Sequence, residues 1–136
     1  MRLAYQGEPG AYGEAATFQY DGAEAETLPC KTFDELFEAV GKRRATHGVV
    51  PLENSIGGTI HRNYDLLLEH ELSITGEVEL DVVHCLLALP GTRLEDVRVV
   101  YSHPQALAQC ERYLKDLGAT VEAVYDTAGG AKLVSE

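Results

Sequence analysis

Apolar positions along the chain fall into short runs separated by polar, turn-rich stretches, and the spacing within each run predicts its element. Leu3-Ala4-Tyr5 is a short apolar strand stopped by Gln6-Gly7-Glu8-Pro9-Gly10, a loop-forming string. Residues 11–20, with Tyr12, Ala16 and Phe18/Gln19, predict a helix, and residues 24–28 an exposed strand. Thr32 followed by Glu35 has capping-box spacing, and Phe33, Leu36, Phe37 and Val40 recur at three and four, so a helix is expected over 33–43. Residues 47–52 read as a buried strand, with β-branched Val49-Val50 and Pro51 ending the run. Ser55 is a candidate N-cap for a helix whose apolar face is Ile60, Tyr64, Leu67 and Leu68.

Residues 73–89 alternate and then become continuously apolar through Val82-Val83 and Leu86-Leu87, which predicts one long strand or a bent pair. Pro90-Gly91-Thr92 is a turn, 97–101 a strand, and 103–117 a helix carrying Leu107, Cys110 and Leu114 on one face. A strand over 120–125 and a helix from Thr127 complete the chain. Strands alternating with helices predict an α/β layered sheet.

Charge narrows the function classes. Against 11 Lys+Arg stand 22 Asp+Glu, a formal net of −11 over 136 residues. A nucleic-acid binder or a docker on anionic membrane needs a basic face, and Lys42-Arg43-Arg44 is too short a run to make one. No stretch approaches the roughly 20 apolar residues of a membrane span. The first residues lack the apolar core of a signal peptide, and three widely spaced cysteines (Cys30, Cys85, Cys110) suggest reduced thiols. The expectation from these features is a cytosolic chain.

Three polar clusters share one placement. Glu53-Asn54-Ser55, Ser102-His103-Pro104-Gln105 and Asp126-Thr127-Ala128 each follow a predicted strand where a helix is expected to begin. The loop after the first strand falls at the same edge. Open α/β sheets bind ligands there, and first-turn amides suit carboxylate or phosphate. Plain N-capping competes with that reading for any single cluster. Five histidines show no H-x-x-x-H spacing and no Cys-x-x-Cys exists, so no metal site is expected. His84 reads as a satisfied core histidine, and Cys110 as packing. For His103 a donor to an anion and a structural role stand level. Gly57-Gly58 lacks the Lys-Ser/Thr of a phosphate loop. Arg62 and Lys132 are the best-placed cations for a carboxylate.

Several long segments together carry a resemblance. Gly48-Val-Val-Pro-Leu-Glu-Asn-Ser55, the stretch from Ser102 to Cys110, and Asp126-Thr-Ala-Gly129 resemble the signature segments of prephenate dehydratases, in family order. Tyr5 to Tyr12 resembles their opening loop. The stretch 57–68 and His84-Cys-Leu-Leu-Ala-Leu-Pro90 look closest to the arogenate dehydratase branch. Similarity runs from residue 2 to the last residue.

The resemblance implies a lyase of phenylalanine biosynthesis that needs no metal or cofactor. Prephenate loses its ring carboxylate as CO2 and its ring hydroxyl as water to give phenylpyruvate, and arogenate gives phenylalanine. It also implies a two-lobed fold like type II periplasmic binding proteins, with a small-molecule substrate between lobes expected near 1–75 and 76–136. Carried onto this sequence, Asn54 and Gln105 are the expected catalytic donors near developing charge. Glu53, Ser55, Ser102, His103, Thr127 and Ala128 are the expected substrate contacts.

Departures from the family pattern shape one further expectation. The family continues to a Thr-Arg-Phe motif and commonly a phenylalanine-binding ACT domain, and neither occurs between Met1 and Glu136. The second lobe is therefore expected to be incomplete, and the chain alone poorly active. Gly13 and Gly130 stand where relatives often carry Ser and a small residue with a side chain. Missing elements could come from a partner chain, and a homo-oligomer is expected. A non-catalytic small-anion binding module is the alternative from another class.

Overall fold

The computed structural model describes residues 1–55 and 58–136. The chain divides into two compact units, Met1–Asp81 and Val82–Glu136. It is a mixed α/β fold with parallel sheets.

In the first unit β1 (Arg2–Gln6) is the central strand, flanked by β2 (Glu26–Cys30) and β3 (His47–Val49), all parallel in the order β2-β1-β3. Leu3, Ala4 and Tyr5 are all fully buried, as expected where a parallel strand is covered on both faces and loses its apolar–polar alternation. Pro29 sits in β2, an edge strand, the place in a sheet that tolerates a missing N–H. Helix α1 (Tyr12–Asp21) connects β1 to β2, and α2 (Phe33–Gly41) connects β2 to β3. Leu36, Phe37 and Ala39 of α2 form the core with Ala4, Cys30, Ala45 and Leu66.

The expected cap of α2 is present. Thr32 Oγ1 accepts from the Glu35 amide at 3.1 Å, while Glu35 Oε2 reaches back to the Lys31 amide at 2.9 Å, one residue before the usual partner.

The segment after β3 departs from expectation. Glu53–Asn54 (β4) pairs antiparallel with Gly58–Thr59 (β5), so a small hairpin occupies the place predicted for a helix start. Ser55 lies in a turn and is not the cap of α3 (His61–Glu69), which begins after Ile60. Gly57, the first glycine of the Gly57-Gly58 pair, lies outside the described residues. The buried face of α3 also differs: Asn63 and Leu66 point inward, three apart, whereas Leu68 is 82% exposed and Tyr64 39%.

The second unit holds β6 (Val99–Ser102) and β7 (Thr120–Ala123), a parallel pair. The predicted helix 103–117 is two helices, α4 (Pro104–Gln109) and α5 (Glu111–Leu117), separated at Cys110. α5 ends on Gly118, whose φ of 71° is the left-handed cap that glycine supplies. Helix α6 (Thr127–Ser135) follows β7 and packs on β6. Gly130 lies at that contact and is buried, so its lack of a side chain serves close packing.

The strand predicted over 73–89 does not form. A strand needs a ladder partner for its N–H and C=O groups, and among the described residues no strand lies alongside this stretch in a sheet. Its side chains remain outside any core: Val83 is 69% and Leu87 65% exposed.

Candidate functional site

The order β2-β1-β3 reverses direction at β1: the chain steps to one side for β2, then crosses to the other for β3. The crevice beyond the C-terminal ends of β1 and β3 is therefore the topological switch point, where such sheets bind ligands. Tyr5 pairs with Val49 in register, so the loop after Gln6 and the hairpin after β3 leave neighbouring strands at one edge.

Backbone and side-chain bonds shape both segments. Gly7 and Gly10 take φ of 119° and 89°, and the Gly7 amide donates to Cys30 O at 2.9 Å. Glu14 gathers the rest of the loop: its Oε2 accepts from the Gly10 amide at 2.7 Å, and its Oε1 from the hydroxyls of Tyr5 at 3.1 Å and Thr27 at 3.2 Å. Beside it, the Ile60 amide donates to Leu52 O at 2.9 Å. Asn63 Nδ2 donates to Pro51 O at 2.7 Å, and its buried Oδ1 has no hydrogen-bond partner among the described residues. Together these bonds fasten both flanks of the β4–β5 hairpin to the start of α3. On that hairpin Glu53 and Ser55 are exposed and Asn54 half-buried.

The second unit presents a corresponding edge. Ser102 pairs with Ala123 in register, and the Val124 amide continues the ladder to Ser102 O at 2.9 Å. His103 and Gln105 follow one strand, and Asp126, Thr127 and Ala128 the other. Pro104 opens α4, where a missing N–H costs nothing. Asp126 caps α6 by accepting from the Gly129 amide, leaving Thr127 and Ala128 half-buried in the first turn. Ser102 is half-buried, and His103 and Gln105 are exposed.

Contacts of His103 and Arg62 bear on two roles left open in the sequence. His103 Nδ1 accepts from the Gln105 amide at 3.2 Å, so the ring caps α4 and its Nδ1 is not a donor to an anion. Arg62 is engaged with Asp34 and Glu69, which removes it as the cation waiting for a carboxylate. His84 is half-buried with Nε2 2.6 Å from Gln109 Oε1, one helical turn beyond Gln105. Among the described residues no three His, Cys, Asp or Glu side chains gather as a metal site, and no helix is long and apolar enough to cross a membrane.

Two groups of the first unit are held neutral. Burial, reinforced by the Glu14 charge and its hydrogen bond, pushes the Tyr5 phenol well above its ordinary range. Burial, with the Glu35 charge, pushes the Cys30 thiol up. Sequence patterns overlooked Glu14 and Asn63. For Glu14 the available signal was its place at the third position of α1, where a carboxylate can reach back to an unpaired amide. A polar residue such as Asn63 inside an apolar helical face was the other.

The family model described as prephenate dehydratase matches residues 3–136. The chain is 57% identical over 136 residues to arogenate dehydratase/prephenate dehydratase 2, chloroplastic, of Arabidopsis thaliana, covering 99% of this chain and 35% of that protein. It thus spans about a third of the length of that relative. A solved structure titled as a novel type of quorum-quenching acylase, GqqA, aligns with TM-score 0.88 at 40% identity, over 98% of this chain and 49% of the other. A prephenate dehydratase from Arthrobacter aurescens in complex with L-Phe aligns with TM-score 0.80 at 26% identity, over 100% of this chain and 46% of that one. The cytosolic expectation is overturned here, since several Arabidopsis relatives are chloroplastic by name. Reduced cysteines report a reducing environment and do not distinguish one compartment from another.

Proposed function

The chain belongs to the prephenate dehydratase family, and from that premise we propose that it supplies the substrate-binding walls of a prephenate or arogenate dehydratase. In this reading the two units are two lobes of a type II periplasmic-binding-protein-like fold, and each contributes a sheet edge to substrate binding. The observation that carries it is the common placement of the signature segments. Asn54 lies beyond the switch-point strands of one sheet, and Ser102, Gln105 and Thr127 lie at the C-terminal edge of the other.

The chemistry asks little of acid–base groups. As the ring carboxylate leaves as CO2, its bonding pair enters the ring, and the ring hydroxyl departs as water after taking up a proton. Aromatisation drives the step, so the protein chiefly holds two carboxylates, excludes water and assists departure of the hydroxyl. Asn54 and Gln105 are the neutral amide donors assigned to developing charge. Ser55, Ser102, His103, Thr127 and Ala128 are assigned to substrate contact, with Glu53 orienting the hairpin. Against a net charge of −11 a dianion is repelled at long range, so binding rests on such local donors and the first turn of α6.

The 136 residues alone are proposed to bind substrate and turn it over poorly. Support comes from the exposed apolar side chains of Val83, Leu87 and Leu89 and from the exposed Val99 and Val121 of a parallel sheet, a kind of sheet normally covered on both faces. The protein is further proposed to work as a homo-oligomer. A second reading, cleavage of an N-acyl amide, is favoured by the 40% identity to the acylase structure. The test incubates the purified chain separately with prephenate, arogenate and an N-acyl amide. The proposal expects slow phenylpyruvate or phenylalanine formation and no amide cleavage. Amide cleavage without either aromatic product would overturn it.

A further inference from the structure

Helices α1 and α2 use the same device at their starts: a carboxylate at the third position reaches back to the amide just before the N-cap, Glu14 to Gly10 and Glu35 to Lys31. The two differ in what else the carboxylate holds. Glu14 also accepts from Tyr5, fully buried in the central strand, and from Thr27 of β2. One side chain thereby ties the loop between β1 and α1 to both of those strands. A helix cap needs only the first of these bonds. The others fix the height of the loop above the sheet edge, at the switch point beside the Asn54 hairpin.

We propose that Glu14 is a positioning residue for the substrate, acting through the Gly7–Ala11 loop. The proposal rests on the reading above that this sheet edge binds prephenate or arogenate. With two oxygens serving three donors, the carboxylate holds the Gly10 amide, and with it a stretch containing two glycines in the left-handed region, in one arrangement before ligand arrives. Unrestrained, such a loop would have to be ordered at each binding event, which weakens affinity. Glu14→Gln keeps the shape but leaves one oxygen and two new donors, so the hydroxyls and the Gly10 amide can no longer all be served.

The test measures prephenate binding by calorimetry for the parent chain and for E14Q, E14D, Y5F and E35Q, with thermal unfolding of each. The expected result is about a tenfold loss of affinity for E14Q, the size of one lost charge-assisted hydrogen bond. E14D, one methylene too short to span the gap, should lose as much and carries the test if E14Q fails to fold. E35Q removes only the cap of α2 and should bind like the parent even where it melts earlier, whereas Y5F loses one bond to the carboxylate but keeps the Gly10 bond and should weaken binding less than E14Q. Equal affinity for the parent, E14Q and E14D would overturn the role of Glu14. A parent chain that shows no binding would overturn the underlying reading of the edge and the inference with it.

Discussion

A Cβ placed on Gly130 would stand 2.7 Å from the carbonyl oxygen of Tyr101, so α6 approaches β6 more closely than any side chain at that position allows. The obstacle is backbone in the strand that leads to Ser102, not a movable side chain.

Gly130→Ala should therefore destabilise the chain by about 1–3 kcal/mol, although alanine is the better helix former. Gly41→Ala is the contrasting case, because nothing lies within 4 Å of its Cβ. It should be neutral or stabilising by up to about 1 kcal/mol. Urea midpoints for the two variants check both signs, and equal shifts would show that the helix–strand contact is not tight.

Tyr5 gives the chain a specific weakness in alkali. Its phenol is held neutral in the folded state beyond the pH, about 10, at which an unfolded tyrosine ionises. Below that pH both states carry the proton and nothing is lost. Above it the unfolded state binds fewer protons, so stability falls by up to about 1.4 kcal/mol per pH unit until the folded phenol ionises. Y5F should remove this part of the slope, as read from unfolding midpoints taken between about pH 8 and about pH 11.

Thiol reactivity should follow burial and ionisation together. Cys85 is exposed, whereas Cys30 is 2% exposed with its thiol pushed up by burial. Brief iodoacetamide treatment at neutral pH, read by peptide mass spectrometry, should label Cys85 first and Cys30 only after unfolding. Early labelling of Cys30 would show that the core around β2 opens readily.

Replacing Thr32 by Ala removes the hydroxyl that accepts from Glu35 and should cost about 1 kcal/mol, read from thermal unfolding. Thr32→Ser should recover most of that loss.

Local signals were the legible ones. The Thr32–Glu35 cap and the apolar spacing of α2 lie within a few residues of each other, and Leu3-Ala4-Tyr5 is a short apolar run that loop-forming residues end. The strand-end placement of Ser102 and Asp126 was legible for the same reason. What failed depended on partners far along the chain or on very short pairings. The 53–59 hairpin has only two ladder pairs, too few to leave a period in the sequence. The apolar stretch 73–89 carries a strand pattern but meets no strand to pair with among the described residues. Glu14 draws its donors from positions 4, 9 and 13 residues away, a grouping only the folded sheet creates.

The proposed function assigns Asn54 and Gln105, each at the sheet edge of its own unit, to substrate binding. Titrating prephenate into the nitrogen-15-labelled chain while following their side-chain amide signals tests it most directly. The account predicts that both signals shift on titration, and that N54A or Q105A weakens binding at least about tenfold. A signal unmoved at either residue would contradict it.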